Sequence, residues 1–155
     1  MGICLGADID QVFTTLDEGK TPALGDVFHG SGNKCYKFVQ YKEGSAATDG
    51  VAGEVAYYYT LDGYKNNQVT SDLSDSVEVG AGVLQVAMSE DEYGWIQIKG
   101  AATLTIALTA GADGDPLTAT GAADGTLDVS GAVTDVVVAI AGDISDQEII
   151  CDFPW

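Results

Sequence analysis

Hydrophobic and polar residues alternate along two stretches near the middle of the chain, residues 83–88 and 93–100. In the second stretch, Ile96 and Ile98 share one side, and polar or aromatic residues take the other. A period of two is typical of a strand with one buried face. The link between the stretches, residues 89–92, contains three consecutive acids, which are too costly to bury unpaired. The pattern therefore predicts a β-hairpin with a solvated turn.

Similar short runs predict strands along the rest of the chain. The predicted strands are residues 11–16, 34–41, 54–60, 68–70, 103–108, 117–120, 126–129, 136–140 and 148–153. The run 136–140 is continuous and β-branched, which is typical of a strand buried on both faces. Asp62-Gly63 is typical of a tight turn. No stretch predicts a helix of three turns.

About ten short strands separated by turn residues indicate an all-β fold, a single β-sandwich or barrel-like domain of antiparallel strands. Residues 1–25 are predicted to form an extended N-terminal segment that acts as an interface arm. Residues 26–155 are predicted to form the β-rich domain.

Composition and charge narrow the classes of function. The chain has 24 acidic residues against 6 basic ones, all of them lysine, and a formal net charge of −18. Because affinity for a phosphate backbone comes from basic residues that displace counterions, we expect no nucleic-acid partner. Anionic membrane surfaces are disfavoured for the same reason. No apolar run reaches the ~18 residues of a membrane span, and no signal peptide is evident. The three cysteines are few and odd in number, which disfavours a disulfide framework, so we expect production in a reducing cytosol. The negative charge suits a soluble protein displayed on a surface. An acidic proteome, for instance from a salty habitat, would explain the charge equally well.

Residue types that carry chemistry are sparse or poorly spaced. His29 is the only histidine, and no nucleophile elbow accompanies it, so a structural or exposed role fits it better. Cys4, Cys35 and Cys151 lack zinc-site spacing and fit buried apolar positions. Residues 113–115 could offer oxygen ligands to calcium, but solvated turn acids fit them better. We therefore predict no enzyme activity, no metal and no cofactor.

Aromatic residues are the strongest candidates for recognition, because tyrosine and tryptophan are favoured at protein interfaces. The candidate interface residues are Tyr57, Tyr59, Trp95, Phe153 and Trp155. Phe153 and Trp155 belong to a C-terminal apolar stretch that would dock on its own domain or on a neighbour. An alternative is a carbohydrate-binding module in which Tyr57, Tyr59 and Trp95 form a stacking platform.

The order of several short motifs resembles that of small structural proteins of tailed phages. The motifs are residues 37–40, an Ala/Gly-rich connector, residues 55–57 before Asp62-Gly63, residues 82–87, and residues 92–100. The most telling is Tyr-Gly-Trp-Ile-Gln-Ile-Lys-Gly at 93–100, followed by Ala/Thr strands and Gly-Asp turns. The resemblance covers residues 34–140 and is to the capsid decoration, or cement, proteins.

This resemblance implies a β-rich protein without catalytic residues, often a homotrimer, that binds the outer surface of an expanded capsid. Its partner would be the major capsid protein, which it would contact through loops and the N-terminal segment, and its location would be the outside of the virion. Alternatives are another virion structural protein, such as a head fibre or tail component, and the carbohydrate-binding module.

Overall fold

The computed structural model describes residues 7–154, which form ten strands, one α-helix and one 3₁₀-helix. The strands are β1 (Val27–His29), β2 (Cys35–Tyr41), β3 (Val55–Tyr59), β4 (Gln68–Thr70), β5 (Ser76–Leu84), β6 (Tyr93–Thr103), β7 (Pro116–Thr118), β8 (Asp128–Val129), β9 (Val137–Asp143) and β10 (Glu148–Asp152). The helix α1 spans Thr60–Asn66, and the 3₁₀-helix spans Leu73–Asp75. The chain is nearly all-β, and the predicted fold class is confirmed.

Five strands form a closed ring in the order β2-β4-β3-β5-β6, because β6 pairs back onto β2. From β6 the sheet continues outward through β10, β9, β7 and β8. The pairing of β2 with β4 is parallel and the others are antiparallel, so the expectation of antiparallel strands alone was too narrow. The main core fills the ring and extends under β9 and β10.

The central hairpin is present but shorter than predicted. Its two strands pair through Val83 with Gln97 and Leu84 with Ile96, and β5 ends at Leu84. Residues 85–92 form a longer connection, so the predicted strand 83–88 extends too far. In that connection Glu90 and Asp91 are exposed, and both carboxylates bind the ammonium group of Lys42.

Strand β6 is buried on both faces, which corrects the prediction of one buried face. Ile96 and Ile98 pack in the main core. Trp95, on the opposite face, packs with Phe38 and Tyr36 in a second cluster. The alternation of aliphatic and aromatic residues along β6 therefore marks two buried faces, one in each core, rather than one buried and one solvent-exposed face.

The second cluster is covered by the N-terminal residues. Ala7, Ile9, Phe13 and Leu24 pack against it, and the backbones of Phe13 and Tyr93 exchange two hydrogen bonds of 2.9 and 2.8 Å. This single bridge replaces the predicted strand 11–16. In the described part of the segment, residues 7–25, the chain is thus packed onto the sheet rather than extended from it.

A short helix takes the place of the predicted Asp62-Gly63 turn. Asn67 ends it in the left-handed region, with φ 54°, and donates its backbone N–H to the carbonyl of Gly63. Gly63 is buried, and a Cβ there would lie 2.9 Å from the carbonyl oxygen of Gln68. The glycine therefore permits close packing of the helix on the chain that follows it. Seven residues are too few to reveal helical periodicity.

Two further strand predictions were wrong in part. Residues 104–108 are not paired as a strand, although Leu104 is buried and the alternation of burial persists. Most of the run 136–140 does form the start of β9, but only Val138 and Ala139 are buried, at an irregularity in the register with β7. Val137 and Ile140 face outward and are 48% and 46% exposed.

We expect the second cluster to contribute to stability as the main core does. Phe38→Ala, in the second cluster, should lower the free energy of unfolding by about 3–5 kcal/mol, and Ile98→Ala, in the main core, by about 2–5 kcal/mol, because each empties a fully buried site. Urea denaturation at neutral pH measures both. A loss below about 1 kcal/mol for Phe38→Ala, the size typical of a surface change, would show that residues 7–25 do not bury this face.

Candidate protein-binding surface

The aromatic residues predicted to form an interface are mostly core residues in the structure. Tyr57 is fully buried, and its hydroxyl lies within hydrogen-bond distance of the carbonyl oxygens of Ala123 and Thr126 and accepts from the Thr126 N–H at 2.9 Å. Burial raises the pKa of Tyr57 above its usual value. Its role is therefore to tie β3 to the loop that precedes β8.

Trp95 and Phe153 are also inside. The Trp95 ring lies 5.2 Å from the ring of Phe38, centroid to centroid, at an angle of 62°. Phe153 packs over Gly80, where a Cβ would lie 2.8 Å from the phenyl ring. Buried rings cannot contact a partner without rearrangement of the domain.

Of the two remaining candidates, Tyr59 is half-buried at the end of β3, and Trp155 lies outside the described residues. The structure thus does not gather the five candidates on one surface. The stacking platform of the carbohydrate-binding alternative is not formed either, because two of its three rings, Tyr57 and Trp95, are in the core.

Exposed aliphatic side chains are concentrated instead in the last part of the chain. Of the nine large hydrophobic residues exposed in the described chain, six lie between Val133 and Ile150. Three of these six, Val137, Ile140 and Ile150, lie on β9 and β10 and line one surface depression of about 380 Å³.

The strand register places apolar residues in a row across four neighbouring strands. Ala101 of β6 is opposite Ile150 of β10, Ile150 is opposite Ile140 of β9, and Ile140 is opposite Pro116 of β7. All four are exposed. With Val137, these residues are called the outer aliphatic face.

Charged residues border the outer aliphatic face but do not enter its centre. At one end, the Lys99 ammonium lies 3.0 Å from a carboxylate oxygen of Asp152, across the β6–β10 pair. At the other end, Glu148 is exposed on β10. An apolar strip bordered by charged groups is the arrangement found where proteins bind other proteins.

Sequence reasoning missed this surface, although β10 contains a signal for it. Ile149 and Ile150 are adjacent, and neighbouring residues of a strand point to opposite faces. One of them must therefore face outward unless both faces of β10 are covered. The structure buries Ile149 completely and leaves Ile150 53% exposed.

Cys35, Cys151 and His29 are placed as the sequence predicted. Cys35 and Cys151 are buried free thiols, and His29 is exposed, with its Nδ1 atom 3.2 Å from the Cys35 sulfur. Cys4 lies outside the described residues. Cys151 lies directly beneath the outer aliphatic face, and burial raises its pKa to about 12.

The acidic turn at 113–115 uses its carboxylates for backbone hydrogen bonds. Asp115 accepts from the Ala112 N–H at 2.8 Å, and Asp113 accepts from the Ile144 N–H at 3.0 Å. Within residues 7–154, no group of three or more His, Cys, Asp or Glu side chains is arranged to hold a metal ion. These two acids thus stabilise turns beside β7 and β9.

Comparison of the chain with protein-family models, with characterised proteins and with solved structures finds no match. None of the helices described in residues 7–154 is long and apolar enough to cross a membrane.

The buried Cys151 thiol predicts a specific loss of stability in alkali. Its folded pKa of about 12 exceeds the value of about 8.5 in an unfolded chain. The stabilisation that the buried, protonated thiol gives the folded state is therefore complete below about pH 8.5 and is lost as pH rises toward 12. The difference in unfolding free energy between the natural protein and Cys151→Ala should narrow from pH 8.5 to 11, by up to about 1.4 kcal/mol per pH unit.

Urea denaturation of both proteins at pH 8, 9.5 and 11 measures this difference, and tyrosine ionisation, common to both, cancels in it. A difference that stays constant over this range would show that the Cys151 thiol ionises as readily in the folded protein as in the unfolded chain.

Proposed function

We propose that this chain is a capsid decoration protein that binds the outer surface of a tailed-phage shell and stabilises it by bridging subunits of the major capsid protein. The observation that supports this most directly is the outer aliphatic face. It presents Val137, Ile140 and Ile150 to solvent on paired strands, where a partner would meet a stiff surface.

The energetics of the face favour a protein partner. Burying apolar surface contributes roughly 25 cal/mol per Å², and a standard interface buries about 800 Å² per partner. The row from Ala101 to Pro116 spans four strands, which lie about 4.8 Å apart. The outer aliphatic face would therefore form the centre of such an interface, and the charged border around it would form the rim.

The strands that carry the face also suit a protein that bridges other subunits. β10 is paired on both sides, to β6 and β9, and β9 is paired to β10 and β7. Little conformational entropy remains to be lost when such a surface binds, which favours affinity. The net charge of −18 favours solubility and opposes contact with packaged nucleic acid.

A paired substitution tests the assignment of the face to the shell. The double variant Ile140→Gln/Ile150→Gln should reduce binding to expanded capsids at least tenfold, because it places two amides in an apolar contact. The capsids are those assembled from the major capsid protein encoded in the same genome, and co-sedimentation measures the bound fraction. Val51→Gln is the matched control, because Val51 is 46% exposed and lies on a different part of the chain.

Equal binding by the double variant and the control would contradict the assignment. A genome without a major capsid gene would contradict the proposed function itself.

The proposed oligomer is a homotrimer, as the resemblance to decoration proteins implies. Native mass spectrometry should show a threefold multiple of the 16.0 kDa chain. The Ile140→Gln/Ile150→Gln variant should keep that mass, because its face is assigned to the shell. A monomer in the natural protein would contradict the trimer, and dissociation of the variant alone would assign the face to the subunit interface.

A further inference from the structure

Lys37 occupies a position in β2 that would ordinarily hold an apolar residue. It lies between the fully buried Phe38 and the buried Tyr36, and only 5% of its own surface is exposed. Its ammonium nitrogen donates to the Tyr58 hydroxyl at 3.1 Å. The same nitrogen lies 5.3 Å and 5.6 Å from the ring centroids of Tyr58 and Tyr64.

Within residues 7–154, Lys37 has no carboxylate partner, which a buried ammonium usually has. Among the described residues, the lysines paired with carboxylates are Lys20, Lys42 and Lys99, and no carboxylate lies within 4.0 Å of the Lys37 nitrogen. Burial lowers the pKa of Lys37 below its usual value. Since a buried, unpaired charge destabilises a fold, stability alone does not explain a lysine here.

A surface depression of about 410 Å³ lies over Lys37. It is bounded by Gly25 and Val27, by Tyr64 and Lys65 of α1, and by Asn67. Val27 is the register partner of Lys37, so the depression runs between the β1–β2 pair and the helix. In a chain with only 6 basic residues, this depression is lined by two of them.

We propose that this depression binds a carboxylate group, with the Lys37 ammonium as its principal donor and Lys65 as a second cation at the rim. An ammonium has three N–H donors, and the hydrogen bond to Tyr58 uses one of them. The two tyrosine rings hold the nitrogen in place by cation–π attraction. The remaining two donors suit the two oxygens of a carboxylate.

The charge of the chain favours a singly charged ligand over a phosphate or sulfate dianion. A formal net charge of −18 repels any anion, and the repulsion grows with ligand charge. A carboxylate therefore gains nearly the same contact with Lys37 at a smaller electrostatic penalty. The carboxylate could belong to a free organic acid or to an acidic side chain of a bound protein, and the inference does not depend on the proposed function.

Lysine-selective ¹³C labelling gives a direct test on the natural protein, because six lysines give six ¹³Cε signals. The Lys37 signal should titrate at least 0.5 pH unit higher in 0.2 M sodium acetate than in 0.2 M sodium chloride, since binding to the charged form raises a pKa. If the depression is shaped for a protein side chain, N-acetylglutamate amide should raise the pH at which the Lys37 signal titrates further than acetate does. Lys65→Gln should weaken the acetate effect.

The proposal is overturned if Lys37 titrates at the same pH in acetate and in chloride, or if sulfate at equal ionic strength produces the larger shift. A second variant tests whether Lys37 is needed for folding. Lys37→Met should unfold at an equal or higher urea concentration than the natural protein, and a clearly lower midpoint would assign Lys37 a purely structural role instead.

Discussion

The pairing of β2 with β6 places hydrophobic side chains on both sides of the same two strands, and the rest of the architecture depends on covering both. On one side, Ile96 and Ile98 point into the main core inside the ring of five strands. On the other, Trp95 and Phe38 are covered by residues 7–25. Without that cover, an aromatic surface would face water. The N-terminal residues are therefore part of the folding unit, and the same pairing closes the ring that positions β10 and β9.

The sequence pattern predicts the fold class well because strand signals are local. The strands β2, β3, β4 and β10 lie close to their predicted places, and so does the loop with the acids Glu90 and Asp91. The sequence pattern does not show which faces of the strands are covered, because the cover comes from segments that are distant in the sequence. Trp95 and Ile140 illustrate the two errors. An aromatic residue on the polar side of an alternating strand was buried by another segment, and an isoleucine in an apolar run was left exposed.

The sequence analysis chose aromatic residues as the candidate surface and missed the exposed aliphatic residues. Tyrosine and tryptophan are favoured both in cores and at interfaces, so composition alone cannot separate the two. Tyr57 is in the core because its hydroxyl finds backbone partners at Thr126. Ile140 and Ile150 are on the surface because β9 and β10 lie outside the closed ring, where only one face of the sheet packs against the core.

We propose that the outer aliphatic face is the surface through which this domain binds a protein shell. Electron cryo-microscopy of expanded capsids mixed with the chain tests this most directly, because it shows which surface of each bound copy is covered. We expect density of the shell within contact distance of Ile140 and Ile150. A particle whose bound copies turn these residues toward solvent, or capsids that bind no copies at saturating concentration, would contradict it.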